Sequence, residues 1–132
     1  MKNRGRKILV TGSSRGIGKQ LAIDAKKKGY EVILHGKQES ANLEILQNNL
    51  KCKAVAFDLQ DWTAVQKEIS KLDRLDVLVN SAGVNISKPI AKLTLANWQA
   101  VFETNVFGLV GVTNACLPLL ESSTSARIVN IG

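Results

Sequence analysis

Short apolar runs alternate with longer amphipathic stretches along the chain. Five runs rich in valine, isoleucine and leucine predict β-strands, and they lie at residues 7–11, 31–35, 53–57, 75–79 and 127–131. Apolar residues recur at helical spacing between them, which predicts helices at 16–28, 40–50, 62–72 and 95–120, the last capped by Thr94. Because strands and helices alternate with short connections, we expect the strands to pair in parallel through right-handed crossovers.

These elements predict an α/β fold of the Rossmann type, with an open, doubly wound parallel sheet of five strands in the order 3-2-1-4-5. The first, fourth and fifth strands are nearly continuous apolar runs, as expected for a sheet that helices cover on both faces. A chain of 132 residues of which 45% are hydrophobic fits one globular domain, residues 1–132, and excludes a disordered or fibrous protein.

Composition also bears on location. No apolar run reaches the ~20 residues that a membrane helix needs, and the run at 8–10 is too short for a signal peptide. The two cysteines, Cys52 and Cys116, have no paired spacing and are expected to be reduced thiols. The sequence therefore predicts a cytoplasmic protein that has no membrane partner.

The net charge of +7 is concentrated at the N-terminal end, where residues 1–28 contain nine lysines and arginines, Lys2 and Arg15 among them, against Asp24 alone. A basic segment favours an anionic partner: nucleic acid, an acidic membrane or a phosphorylated small molecule. Aromatic residues make up 5% of the chain and none interleaves with the basic cluster, so we expect no binding of nucleic acid. For the lysines at 26–28, a solvated helix face is the simpler interpretation.

A glycine-rich segment lies between the first strand and the first helix. Its three glycines suit, in order, a sharp turn, a close approach of backbone to a pyrophosphate, and tight packing of the helix on the sheet. The helix start adds unpaired N–H groups and the positive end of the helix dipole. The residues of this segment that we predict to contact a dinucleotide are Gly12, Ser14, Arg15, Gly16, Ile17 and Gly18.

The spacing of this loop, Thr11 followed by Gly-x-x-x-Gly-x-Gly, resembles the short-chain dehydrogenase/reductase family. The resemblance covers the chain from Lys7 onward and is greatest to the 3-oxoacyl-[acyl-carrier-protein] reductases. Serine replaces the family's usual second asparagine after the fourth strand. The other matching motifs, in order, are Asp58-Leu59, Asn80-Ser81-Ala82-Gly83, Asn105 in Glu103-Thr104-Asn105-Val106, and the final Arg127-Ile128-Val129-Asn130-Ile131-Gly132.

The resemblance implies a nicotinamide cofactor and a small-molecule carbonyl or alcohol substrate. Asp58 would accept a hydrogen bond from the adenine amine, Asn80 would lie on the ribose side, and Asn105 would be the helix asparagine of the catalytic tetrad. We expect no metal, because the sequence has no metal-ligand spacing. Beyond the glycine loop, the motif residues implied to contact the cofactor are Asp58, Leu59, Asn80, Ala82 and Gly83.

The end of the second strand distinguishes NADP(H) from NAD(H). An NAD-binding sheet carries an acid there, roughly 20 residues after the loop, which binds the ribose 2′-hydroxyl. Here the position holds Gly36 and Lys37, with no acid before Glu39. Lys37 and Arg15 can flank a 2′-phosphate, and the planar guanidinium of arginine matches phosphate oxygens. The sequence therefore favours NADP(H) over NAD(H), with an ordinary exposed turn lysine as the alternative interpretation of Lys37.

Residues that transfer the proton in this family are absent from the sequence. The resemblance requires a serine, and a tyrosine with a lysine four residues later. Tyr30 is the only tyrosine, position 34 is leucine, and the sequence ends at Gly132, where the serine is expected next. We therefore expect the cofactor-binding half of an NADP(H)-dependent oxidoreductase, truncated before its catalytic half and inactive alone. A non-catalytic dinucleotide-binding or assembly module is the alternative, and His35 is expected to be an ordinary strand-end residue.

The end of the sequence also predicts self-association. With the order 3-2-1-4-5, the strand at 127–131 is an open edge with little charge, and such an edge favours pairing with another chain. The helix at 95–120 carries more apolar residues than one face of a sheet can cover. In related enzymes this helix packs against its counterpart in a neighbouring subunit. The resemblance thus implies a homo-oligomer through residues 95–120, or a C-terminal half supplied in trans.

Overall fold

The computed structural model describes residues 4–132, so Lys2 of the basic segment lies outside the described residues. A 3-10 turn (Ile90–Lys92) precedes α4, and a π-helical segment (Glu103–Gly108) joins α4 to α5. The regular elements are β1 (Lys7–Val10), α1 (Gly16–Lys27), β2 (Glu31–Gly36), α2 (Ala41–Leu50), β3 (Lys53–Ala56), α3 (Trp62–Ile69), β4 (Val77–Asn80), α4 (Leu95–Phe102), α5 (Leu109–Glu121) and β5 (Arg127–Asn130).

The strands form one parallel sheet in the order β3-β2-β1-β4-β5, which confirms the predicted fold. The register aligns Val10 of β1 with Leu34 of β2 and Val79 of β4, so the carboxyl ends of the strands lie along one edge. Strand order reverses between β1 and β4. In a doubly wound sheet, ligands bind outside the carboxyl ends of the strands at such a reversal.

Successive residues of the central strands enter two cores on opposite faces of the sheet, because side chains alternate along a strand. Leu9 and Leu78 pack with side chains from α3 and α5. Val10 and Val79 pack with side chains from α1 and α2. Helices therefore cover both faces, which explains why the central strands read as continuous apolar runs.

The predicted helix at 95–120 forms one continuous helical stretch with a π-helical middle. Thr94 caps it as predicted: Thr94 Oγ1 accepts from the Asn97 N–H at 3.2 Å, and Asn97 Oδ1 accepts from the Thr94 N–H at 3.1 Å. Five residues of α5 are buried and none of α4 is. By length and composition alone, the stretch Leu95–Glu121 could cross a membrane. The core helices of many soluble proteins meet the same criterion.

One edge of the sheet and one helix surface are exposed and apolar. β5 pairs with β4 alone among the described strands, and its Ile128 and Val129 are 43% and 44% exposed. The long helix adds a second set, the exposed helix residues, which we define as Trp98, Phe102, Val106, Val110 and Leu117.

Candidate nucleotide-binding site

A cleft of about 900 Å³ opens at the carboxyl edge of the sheet. Its walls come from the glycine loop, the ends of β2 and β3, the segment after β4 and the π-helical segment. All the site residues that the sequence predicts line this one cleft: Gly12, Ser14, Arg15, Gly16, Ile17, Gly18, Lys37, Asp58, Leu59, Asn80, Ala82, Gly83 and Asn105.

The glycine loop lies directly against the segment after β4. Gly12 has a φ of +62°, and a Cβ atom there would lie 2.7 Å from Ala82 Cα. A Cβ at Gly18 would collide with the Gly12 carbonyl oxygen. No larger residue fits either position without a backbone shift, so the tight turn and the close helix packing both depend on glycine.

The start of α1 leaves backbone donors available at the cleft. Arg15 is the N-cap residue, and its side chain makes no capping hydrogen bond. The next three residues, Gly16 to Gly18, line the cleft. Because the first N–H groups of a helix have no partner within the helix, and because they carry the positive end of its dipole, this helix start suits a phosphate.

Thr11 attaches the glycine loop to β4 and to the segment that follows it. Its side chain is fully buried, and its Oγ1 accepts hydrogen bonds from the N–H groups of Ser81 and Ala82, each at 3.0 Å. The Thr11 N–H donates to Val79 O at 3.0 Å. These bonds align the glycine loop with the Asn80-Ser81-Ala82-Gly83 segment, so the two motifs form one surface.

His35 supports the same loop from the side of β2. It lies one residue before the end of that strand, which extends to Gly36 rather than to the predicted residue 35. His35 is 1% exposed, and its Nδ1 accepts from the Gly12 N–H at 2.9 Å. Its Nε2 lies 2.9 Å from Phe57 O, so Nε2 carries the proton. Burial lowers the pKa of His35 to about 4, although the Phe57 carbonyl and the Asp58 charge act to raise it. The ring is therefore neutral at neutral pH.

Lys37 and Asp58 meet at the cleft, at the ends of β2 and β3. Lys37 Nζ lies 3.8 Å from Asp58 Oδ2, and the lysine side chain is 73% exposed. Asp58 Oδ1 accepts from the Gln60 N–H at 3.0 Å. The long separation and the exposure make this a weak ion pair, so both side chains can turn to a ligand. Within residues 4–132, no cluster of three His, Cys, Asp or Glu residues could hold a metal ion.

Asn80 is held inside the sheet edge. Its Nδ2 donates to Asn130 Oδ1 at 2.9 Å and to Thr113 Oγ1 at 3.2 Å, while its buried Oδ1 has no partner among the described residues. The side chain is 4% exposed. Its amide nitrogen therefore connects β4 to β5 and α5.

Asn105 lies in the π-helical segment, a type of distortion that occurs often at functional sites. Its Nδ2 donates to Val84 O at 2.9 Å, and the Val84 N–H donates to its Oδ1 at 2.8 Å. The neighbouring Thr104 accepts from Gln60 Nε2 at 3.0 Å. Through these bonds the long helix is attached to two other walls of the cleft.

Comparison with known proteins agrees with the loop geometry and the strand order. Residues 6–132 match the family model described as short chain dehydrogenase. The chain belongs to the short-chain dehydrogenase family. The resemblance inferred from the loop spacing and the four later motifs is thereby confirmed, and so is the likeness to 3-oxoacyl-[acyl-carrier-protein] reductases.

Three members of the short-chain dehydrogenase family illustrate the likeness. Sulfoacetaldehyde reductase 2 of Chromohalobacter salexigens is 35% identical, over 95% of this chain and 53% of that protein. The 3-oxoacyl-[acyl-carrier-protein] reductase of Synechocystis sp. is 35% identical, over 93% of this chain and 53% of that protein. The structure of the 3-oxoacyl (acyl-carrier-protein) reductase of Agrobacterium tumefaciens with NADP bound has a TM-score of 0.87 and 30% identity. The match covers 98% of this chain and 53% of that one. The chain spans about half the length of the curated relatives it matches.

Proposed function

We propose that this chain binds NADP(H) in the cleft, as the cofactor-binding part of an oxidoreductase that transfers hydride between a small carbonyl or alcohol compound and a nicotinamide. The observation that carries this proposal is the start of α1, where the glycine loop presents uncapped N–H groups to the cleft. Gly16 supports the same use, because its φ is +61° and the space beside its α-carbon is open, so a pyrophosphate could approach the backbone there. The Agrobacterium tumefaciens relative has NADP bound.

A preference for NADP(H) over NAD(H) forms the second part of the proposal. Arg15 and Lys37 are exposed at the cleft, where both cations could reach a 2′-phosphate. The end of β2 carries no acid that would bind a 2′-hydroxyl instead, because Gly36 occupies that position. The weak pairing of Lys37 with Asp58 leaves the lysine free to move toward the phosphate.

We propose Asp58 as the acceptor for the adenine amine, with Leu59 beside the adenine. Only Asp58 Oδ1 accepts a backbone hydrogen bond, so Oδ2 remains able to accept another. Ala82 and Gly83 would lie along the cofactor. Asn80 would support the ribose side of the cleft indirectly, because its amide nitrogen is already bonded to β5 and α5.

Hydride transfer to a carbonyl carbon also requires a proton for the oxygen, and NADPH supplies only the hydride. Tyr30 is the only tyrosine in the sequence; it precedes β2, at the edge of the sheet opposite the cleft, with the Arg6 guanidinium 5.6 Å from its ring centre. We propose that the 132-residue chain has no turnover alone. Asn105, proposed as the tetrad asparagine, would act here by fixing Val84 at the cleft wall.

A non-catalytic dinucleotide-binding or assembly module is the second candidate function. The remote position of Tyr30 and the exposed helix residues favour it. We also propose a homo-oligomer through the helix at 95–120, a cytoplasmic location supported by the two free cysteines, and no nucleic acid or membrane partner.

NMR titration of the ¹⁵N-labelled chain with NADPH tests the proposal. We expect the amide signals of Gly16, Ile17 and Gly18 to shift, while those at the amino end of the sheet, such as Lys7, do not. Binding without shifts at the start of α1 would contradict the proposed site. An assay with NADPH and a ketone tests the proposed inactivity, since turnover in proportion to purified chain would refute both that inactivity and the second candidate.

A further inference from the structure

His35 makes hydrogen bonds that fix the peptide groups on both sides of Gly12. Its ring Nδ1 accepts from the Gly12 N–H at 2.9 Å, which orients the peptide before Gly12. Its backbone oxygen accepts from the Ser13 N–H at 2.9 Å, which orients the peptide after Gly12. The His35 N–H in turn donates to Ser13 Oγ at 2.8 Å. One residue of β2 thus accepts hydrogen bonds from both peptide groups of the turn that starts the glycine loop.

The opposite side of the ring is attached to the end of β3. Nε2 donates to Phe57 O at 2.9 Å, and the Phe57 ring lies 4.2 Å from the imidazole, centre to centre. Asp58 follows immediately in the chain. His35 therefore connects the glycine loop to the residue proposed to contact the adenine, and no other described side chain bridges these two segments.

The turn at Gly12 leaves little room for adjustment. Ala82 fills the space beside the Gly12 α-carbon, and the Gly12 carbonyl lies against Gly18 at the start of α1. A shift of the Gly12 α-carbon or carbonyl toward these neighbours would press on one of them. The orientation that His35 imposes is therefore transmitted to the N–H groups at the start of α1.

We propose that His35 is a positioning residue for nucleotide binding, whose ring Nδ1 holds the Gly12 amide, and with it the glycine loop, in the conformation that a dinucleotide requires. This inference rests on the proposed function. A neutral imidazole suits the task because it accepts at Nδ1 while donating at Nε2. The charged groups nearest the ring along β2 and β3 are Lys37 and Asp58, and burial keeps the pKa of His35 at about 4.

Two substitutions of similar size separate the two ends of the ring. In His35→Asn, Oδ1 occupies the place of Nδ1 and still accepts from Gly12, but the donor to Phe57 is lost. In His35→Gln, Nε2 occupies the place of the ring Nε2 and still donates to Phe57, but the acceptor for Gly12 is lost. Each variant is neutral and removes one hydrogen bond, so each serves as the control for the other.

Fluorescence titration with NADPH and NADH measures the effect. We expect His35→Asn to bind both nucleotides within about threefold of the wild type, and His35→Gln to bind both at least about tenfold more weakly, as loss of one buried hydrogen bond implies. The weakening should be equal for the two cofactors, because His35 acts on the glycine loop and both cofactors contain the pyrophosphate that this loop would bind. In ¹⁵N spectra of the free chain, the Gly12 amide should shift in His35→Gln and stay near its wild-type position in His35→Asn.

Melting temperatures of both variants are measured in parallel. Affinities that follow the melting temperature, whichever bond is removed, would assign His35 a purely structural role and overturn the inference. Equal nucleotide affinities of His35→Gln and His35→Asn would also overturn it. A wild-type chain that binds neither nucleotide would refute the proposed function itself, and the positioning role with it, whereas wild-type binding with unaffected variants refutes the positioning role alone.

Discussion

Asn105 and Val84 are joined by two hydrogen bonds that run in opposite directions, side-chain amide to backbone carbonyl and backbone amide to side-chain oxygen, at 2.9 and 2.8 Å. A π-helical turn of the long helix is thereby attached to the segment that follows β4. The first prediction concerns this pair.

Asn105→Ala should free the Val84 segment from the helix. We expect faster hydrogen exchange at the Val84 amide and a loss of about 1 kcal/mol in the free energy of unfolding, because the bonds are partly exposed. Asn114→Ala, at an exposed asparagine of α5, is the matched control. Unchanged exchange at Val84 in Asn105→Ala would show that the pair does not order the segment.

The strand order and the place of the cleft could be predicted because they depend on local patterns. The glycine spacing around Gly12 and the apolar runs each occupy only a few neighbouring residues. The π-helical segment could not be predicted, since its contact between Asn105 and Val84 spans 21 residues. The ring contacts of His35 were missed for the same reason: a strand-end histidine acquires the Gly12 amide only when β1 and β2 are aligned.

The predicted start of the fourth strand, at residue 75, was two residues early. Leu75 is apolar and buried, but Asp76 does not belong to β4. Its carboxylate accepts from the Lys7 N–H and the Ser123 hydroxyl, each at 2.7 Å. An apolar pattern carries no signal for side-chain bonds of this kind.

Asp58→Ala should weaken the binding of NADPH and of NADH to a similar degree, because both cofactors contain the adenine amine. We expect little change in melting temperature, since this carboxylate is 39% exposed and pairs weakly with Lys37. Asp61→Ala is the contrasting variant: Asp61 caps α3 by accepting from the Ala64 N–H, so its loss should cost about 1 kcal/mol of stability and leave binding unchanged. A sharp fall in melting temperature for Asp58→Ala, with affinity intact, would make Asp58 a structural residue.

His35 should make the folded chain less stable in mild acid. Its pKa is about 4 in the folded chain against an ordinary value of 6.5, so the unfolded chain takes up the proton first. The contribution of neutral His35 to the free energy of unfolding is complete above pH 6.5 and is lost as the pH drops toward 4. It amounts to on the order of 3 kcal/mol. Urea unfolding across this range measures it, with His35→Asn as the control. An equal pH slope in both proteins would refute the assignment.

The exposed helix residues should drive self-association at micromolar concentration. Phe102→Glu places a charge among them and is expected to shift the chain toward smaller species in light scattering. Gln99→Glu, a change to the same residue at an exposed position of α4, should have no such effect. A wild-type chain that is a sharply melting monomer would contradict the proposed oligomer.

Calorimetric titration with NADPH and NADH tests the central claim most directly. Each charge-assisted hydrogen bond to the 2′-phosphate contributes on the order of 1.5–3 kcal/mol. The double variant Arg15→Ala/Lys37→Ala should therefore weaken NADPH at least about tenfold more than NADH. Lys27→Ala/Lys28→Ala removes the same charge at the far end of α1 and should weaken neither by much. Equal weakening of NADPH and NADH binding by the first double variant would contradict a 2′-phosphate site at Arg15 and Lys37. An unaltered affinity for NADPH would contradict NADP(H) binding in this cleft.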